Sequence, residues 1–370
     1  MEFLIETVKE VTVPQIVMWL IGGLLIFLAI KKDIEPALLL PMGFGAILVN
    51  IPFSAVIAEE GGIIASLFKV GIEASEAMPL LLFIGIGAMI DFGPLLSNPK
   101  LFILGGAAQL GIFVTLILAA VIGFPLNDAA SIAIIGAADG PTSILVALEL
   151  SSKYLGAIMV VAYSYMALVP IVQPAVVKLC TTKKERRIKM KYRAAQVSKL
   201  TRILFPVIVT IISGLIAPAS LSLVGMLMFG NLIRECGVLK TLSETAQNTL
   251  SNLITLLLGI TIAFQMQAEQ FIAWETLMIM GLGLFAFVFD TIGGVMCAKL
   301  MNLFSKEKIN PMIGAAGISA FPMAARVVEK MGVKEDSSNH LLMHAVGANV
   351  SGQIASAIVG GLIIGLVRAI

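Results

Sequence analysis

Apolar runs long enough to cross about 30 Å of hydrocarbon recur along this chain, among them Gln15 to Ile30, Leu101 to Val121, Leu155 to Val177 and Leu277 to Cys297. A soluble domain needs a charged skin. Here only 13% of the 370 residues are charged and 58% are hydrophobic, with a mean hydropathy of +1.00. The expected fold is an all-α integral membrane protein with about ten to twelve helical segments, since helices satisfy their own backbone groups in lipid. The first segment, 1–14, is amphipathic and acidic, with no basic stretch ahead of the apolar run. It is expected to be an interfacial helix rather than a cleaved signal. Cys180, Cys236 and Cys297 are scattered without CxxC spacing, which supports neither a disulfide framework nor a thiolate metal site.

The net charge of +2 conceals a strong asymmetry. Residues 178–202, KLCTTKKERRIKMKYRAAQVSKLTR, carry ten Lys and Arg against the single acid Glu185. The positive-inside rule places such a loop in the cytoplasm. Its charge either only sets orientation or also attracts anionic lipid or an acidic partner. The loop separates an expected first membrane repeat, 15–177, from a second, 203–370. The halves echo each other: LLFIGIGAMIDF (81–92) resembles LLLGITIAFQMQ (256–267), and IIGAADGPTSIL (134–145) returns as MIGAAGISAFPM (312–323). Gly85 to Gly136 spans 51 residues and Gly259 to Gly314 spans 55, so the spacing repeats with the words. Such repeats, often inverted, belong to transporters in which broken helices of each half meet near the membrane midplane.

The GAA segments are the candidate breaks. Asp139-Gly140-Pro141 cannot continue a regular helix, and Pro322 is expected to interrupt the second copy. Broken backbone at membrane depth must face protein or a wet cavity. An ionised acid there costs about 2.5 to 3.5 kcal/mol even on the lenient insertion scale, so Asp139 needs a cation, a proton or a basic partner. Thr142 and Ser143 beside it supply hydroxyls, which favours a hard cation such as Na+; the alternative is a carboxylate that caps a half-helix. NPMIGAAGISAFPMAAR offers Asn310, Gly314, Ser319 and Arg326, and HAVGANVSGQIAS offers Asn349, Ser351 and Gln353. The oxygens among them suit a cation, whereas any one alone suits helix packing. Arg326 either snorkels to the interface or binds an anionic group through its planar fork.

Asp290, deep in FAFVFDTIGGV, either relays a proton, lines a second site or pairs with a neighbouring helix. Asp91 is expected at the interface. Tyr163 and Tyr165 are hydrogen-bond or proton donors, or aromatic-belt packing. His340 and His344 share i, i+4 spacing without HExxH or a third ligand. Nucleotide loops, nucleophile elbows and nucleic-acid signatures do not occur. From the residues alone, a free-standing secondary transporter such as a Na+/H+ antiporter or a Na+-coupled carboxylate carrier is one reading.

GAADGPTSI, AYSYMALVPIVQP, FGNLIRECGVLKTLSETAQN, NPMIGAAGISAFPMAARVV and MHAVGANVSGQIASAI together resemble the membrane β-subunits of the biotin-dependent, sodium-pumping decarboxylases acting on oxaloacetate, methylmalonyl-CoA or glutaconyl-CoA. The resemblance covers nearly the whole chain and implies a multi-pass subunit in a bacterial or archaeal plasma membrane. It implies partners as well: a carboxyltransferase α-subunit, a biotin carrier, a small membrane γ-subunit and further copies of the β-chain. By the same resemblance, carboxybiotin is decarboxylated at this subunit, Na+ moves outward and a proton is consumed. The family's sodium residues fall on Asp139, with Thr142 beside it, and on Asn310, Gly314, Ser319 and Asn349. Arg326 becomes the expected anchor for carboxybiotin, and Tyr165 and Ser319 the expected members of a proton path.

Overall fold

The computed structural model describes residues 9–58, 61–190 and 197–370. Most of the expected N-terminal interfacial helix therefore lies outside the described residues. Helices dominate: α1 (Val13–Lys32), α2 (Pro36–Val49), α3 (Ile63–Glu73), α4 (Ala77–Met89), α5 (Leu101–Ala107) and α6 (Leu110–Ile122). After them come α7 (Leu126–Ala133), α8 (Gly140–Glu149), α9 (Leu155–Cys180), α10 (Lys199–Ile216) and α11 (Leu221–Cys236). The chain ends with α12 (Ser251–Ile262), α13 (Trp274–Phe304), α14 (Met312–Ala315), α15 (Met323–Glu335) and α16 (Leu342–Ala369). Among the described residues seven helical stretches are long and apolar enough to cross a membrane, with Leu101–Ile122 and Lys240–Met266 each counted as one across its irregular turn, or eight if α3 and α4, bent 67° at their junction, count as one span.

Helix starts follow local chemistry. Thr12 closes a capping box with Gln15 ahead of α1 and Pro14 in its first turn, and Thr182 closes another with Glu185. One expected span is divided. The run Leu101 to Val121 breaks at Ala108–Gln109 into α5 and α6 without a proline, because Asp290 of α13 accepts from the amides of Gly111 and Ile112 and so stabilises a second helix start.

The two halves repeat their irregularities in order. A π turn at Lys69–Glu73 precedes α4, and another at Thr245–Leu250 precedes α12. Each half also contributes a hairpin that turns back within the molecule. In the first, α7 and a 3-10 turn (Ile134–Ala137) descend to Ala138 and α8 returns; Asn127 Nδ2 donates to the Leu150 carbonyl and Ser152 Oγ to Asp128, closing its mouth. In the second, α14 descends and α15 returns. Arg186, which pairs with Glu335 at 2.8 Å, lends its carbonyl to Asn310 and Asn339, which gathers both arms at that mouth.

These mouths lie at opposite ends of the molecule. Helix α16 starts beside the second mouth, where the Leu341 and Leu342 amides donate to Glu329, and ends beside the first, where Arg368 donates to the Glu149 carbonyl. Its 28 residues separate those points by about 42 Å. The tips meet between them: the Ser319 amide donates to the Ala137 carbonyl at 3.0 Å.

The halves also exchange packing partners, as α4 packs on α11 and α2 on α12. A Cβ at Gly87 would stand 1.9 Å from the Leu227 carbonyl oxygen, and one at Gly230 2.0 Å from that of Ile84. At the second crossing a Cβ at Gly45 would meet the Cβ of Ala263 at 2.5 Å, and one at Gly259 the Leu38 carbonyl oxygen at 3.0 Å. Backbones touch where a side chain would part them, the usual solution in lipid, where apolar surface gives no preference for protein.

The basic loop is more than a marker of orientation. Arg187 donates to the Glu335 carbonyl, Lys189 pairs with Asp336 at 3.0 Å and bonds Ser338, and Glu185 pairs with Lys299. Its described part is thereby strapped across the second mouth.

Candidate functional site

The turn at the first tip is made by two residues that precede the proline. Ala138 takes a left-handed conformation, φ 53°, and Asp139 an extended one. Pro141 then sits in the first turn of α8, where its missing N–H costs nothing. The helix thus restarts at the proline, and the residue thrown out of the turn is the acid.

Asp139 is buried, 3% exposed, and its Oδ2 accepts from Thr142 Oγ1 at 2.8 Å, Ser356 Oγ at 2.9 Å and Gln353 Nε2 at 3.0 Å. Its carbonyl accepts from the amide and hydroxyl of Ser143. The carboxylate is therefore held by side chains of two helices, α8 and α16. Among the described residues no ion pair includes Asp139, so its charge is met by neutral dipoles alone.

Helix α16 carries this chemistry on one stripe. Asn349, Gln353, Ser356 and Gly360 follow i, i+4, i+7, i+11, which places them on one face. Asn349 Nδ2 donates to the Ile318 carbonyl at 2.6 Å, and the Gly352 carbonyl beside it accepts from Ser319 Oγ at 3.0 Å, so the upper part of the stripe holds the second tip. Gln353 and Ser356 below it hold the first. Gly360 lets α16 close on Thr142, whose Cγ2 would stand 2.8 Å from a Cβ there. Asn349 Oδ1 is buried without a partner.

The structure thus gathers Asp139, Thr142, Ser319 and Asn349 around the junction of the tips. It takes four other expected site residues elsewhere. Asn310 stays at the second mouth, where its Nδ2 holds the Arg186 and Ile188 carbonyls and its Oδ1 accepts from the Met312 amide. Gly314 is a packing contact: a Cβ there would lie 2.0 Å from the Gly294 carbonyl oxygen of α13. Arg326 lies exposed on α15 about one turn from the second tip, in no ion pair among the described residues, with Glu35 as the acid that bears on it electrostatically. Tyr165 turns away from Asp139 and donates its hydroxyl to the Met280 carbonyl of α13.

Tyr163 is the phenol beside the acid. Its ring covers Gly140, where a Cβ would meet Cζ at 2.3 Å, and its hydroxyl is buried without a partner. Gln353 is one of the residues singled out in HAVGANVSGQIAS, whereas Ser356, the last residue of that stretch, is not; the signal for it is the helical spacing from Asn349. Of the histidines, His340 pairs with Glu329 at 2.8 Å, and among the described residues no three His, Cys, Asp or Glu converge as a metal cluster would require.

The family model described as Na+-transporting oxaloacetate decarboxylase beta subunit matches residues 14–367. The chain belongs to that family. Among relatives of this β-subunit, the methylmalonyl-CoA decarboxylase subunit beta of Propionigenium modestum is 48% identical over 95% of this chain and 94% of its own length. The glutaconyl-CoA decarboxylase subunit beta of Acidaminococcus fermentans is 48% identical over 95% of this chain and 92% of its own. The oxaloacetate decarboxylase beta chain of Klebsiella pneumoniae is 44% identical over 96% and 95%. The β-subunit is accordingly the membrane sodium-pumping component of a decarboxylase, with several membrane-crossing helices.

Proposed function

We propose that the β-subunit carries Na+ at the junction of its two hairpin tips and couples that movement to decarboxylation of a carboxylated biotin brought by a separate carrier. The observation that carries this reading is Asp139: buried, unpaired by any cation of the protein among the described residues, and ringed by Thr142, Ser356 and Gln353. A hard cation is bound by carboxylate, hydroxyl and carbonyl oxygens. Both hydroxyls can rotate their lone pairs to an ion at Oδ2, and the Gln353 amide can turn its Oε1 in place of Nε2. Asn349 Oδ1 and Ser319 Oγ complete the oxygen set from the second tip. Asn310 and Gly314 contribute by holding the second hairpin in place.

Arg326, exposed and free of any ion pair among the described residues, suits the carboxylate of the incoming group through its planar fork. Biotin carries the carboxyl chemistry, while this chain supplies docking, ion release and a proton path in which Tyr163 stands nearer the site than Tyr165. The carrier, a carboxyltransferase α-subunit and a small γ-subunit are the partners this requires, with β-chains associating among themselves. The basic loop faces the cytoplasm of a bacterial or archaeal cell, where those soluble partners work.

The test is Asp139→Asn in the assembled complex. Sodium-stimulated decarboxylation is expected to vanish while the variant still co-purifies with its partners. Full sodium stimulation in the variant overturns the site. Sodium movement by the β-subunit alone in liposomes, with no carboxylated biotin, would return the free-standing carrier.

A further inference from the structure

The ion site leaves one deeply buried acid unused. Asp290 on α13 has no exposed surface. Its Oδ1 accepts from the amides of Gly111 at 2.5 Å and Ile112 at 3.3 Å, at the start of the 13-residue helix α6, while its Oδ2 has no hydrogen-bond partner among the described residues. That orphan oxygen stands over the first hairpin's tip: a Cβ at Gly136 would lie 2.7 Å from Oδ2 and 2.6 Å from the Cβ of Ala286.

No charged group of the packed elements compensates it. Residues 101–122, 134–137 and 309–318 carry no titratable side chain. Helix α7 has Asp128, tied to Ser152 at the first mouth. Helix α9 has Tyr163 over Gly140, Tyr165 on the Met280 carbonyl about 15 Å along α13 from Asp290, and Lys178 and Cys180 at its far end. On α13 itself, Glu275 stands in the first turn, Cys297 two turns beyond Asp290, and Lys299 is paired with Glu185. A metal cation at Oδ2 would lie against the positive end of α6, which leaves the proton as the fitting ligand.

We propose that Asp290 is a reversible proton-binding site, neutral while Oδ2 rests on the first tip and ionised only when that tip withdraws and water reaches the oxygen. With Oδ2 walled by glycine and alanine, an ionised carboxylate would have only the start of α6, through Oδ1, to meet its charge, whereas the neutral acid keeps both amide bonds on Oδ1 and leaves no charge on the dry oxygen. Gly136 lies three residues ahead of Asp139 in the same turn. Proton occupancy at Asp290 is thereby tied to the position of the tip, on geometry that does not rest on the sodium reading.

Infrared difference spectra of the purified β-subunit between alkaline and acidic pH, in sodium-free potassium buffer, test this for wild type, Asp290→Asn, Asp290→Glu and Asp139→Asn. A titrating C=O band of a buried protonated carboxyl is expected, retained in Asp139→Asn, moved in Asp290→Glu and lost in Asp290→Asn. If Asp290→Asn does not fold, the shift in Asp290→Glu decides. An unmoved band in the Asp290 variants, a band lost only in Asp139→Asn, or no such band in the wild type overturns the proposal. The buffer contains no sodium, so failure here leaves the sodium site standing.

Discussion

Thr142, Gln353 and Ser356 all donate to the one oxygen, Asp139 Oδ2, from two helices that come close where Gly360 faces Thr142. A hydroxyl lost from such a shell removes roughly 1 to 1.5 kcal/mol, so Ser356→Ala and Thr142→Ala are each expected to raise the sodium concentration for half-maximal decarboxylation about fivefold to tenfold. Sodium titration of the assembled complex measures this, and an unchanged midpoint in both variants removes those hydroxyls from the site. Asp139 and its hydroxyl neighbours are legible in the sequence because an acid beside Gly-Pro in an apolar run has few structural uses. The pairing with Ser356 is not, since it depends on which face of α16 turns inward. Tyr165 and Asn310 show the converse: their motifs are plain, yet side-chain direction along a helix takes one to the α13 backbone and the other to the second mouth.

Among elements, the exchange of α2 and α11 between the halves rests on glycines with no room for a methyl. Gly230→Ala and Gly87→Ala are expected to destabilise the protein by about 1 to 3 kcal/mol through overpacking, read as a lowered melting temperature in detergent. Gly225→Ala, on the same helix α11 and with open space beside it, should instead be neutral or gain about 0.5 to 1 kcal/mol. Equal behaviour of all three would remove the close approach as the cause. The helical membrane character and the repeated words are readable from hydropathy and spacing, whereas not all of the expected ten to twelve segments are spans, since among the described residues only seven stretches, or eight with the bent pair, are long and apolar enough to cross. The π turns at Lys69–Glu73 and Thr245–Leu250 carry no proline or glycine rule that marks them, and the break at Ala108–Gln109 is imposed by an acid far along the chain.

The whole molecule has two mouths at opposite ends and one strap, the basic loop, across the second. Hydrogen bonding from Arg186 holds Glu335 below the ordinary carboxylate range, and Ser338 followed by Lys189 does so for Asp336. Because both folded values are depressed, the strap's contribution is complete above the ordinary carboxylate range and is lost as pH falls through the lowered values. Hydrogen exchange in residues 183–190, corrected for its intrinsic pH dependence, is expected to accelerate on acidification, and Glu335→Gln should show part of that acceleration already at neutral pH. Equal protection in the variant would free the strap from this pair. The mirrored hairpins have a further consequence. Hairpins that open at opposite ends and meet at their tips offer a similar backbone to either side of the membrane, so by themselves they give little preference for one direction of insertion. By the positive-inside rule the run of Lys and Arg between the halves is the feature expected to choose between the two directions, and because Arg186 and Lys189 of that run also hold the second mouth, moving those charges would be expected to loosen that end as well.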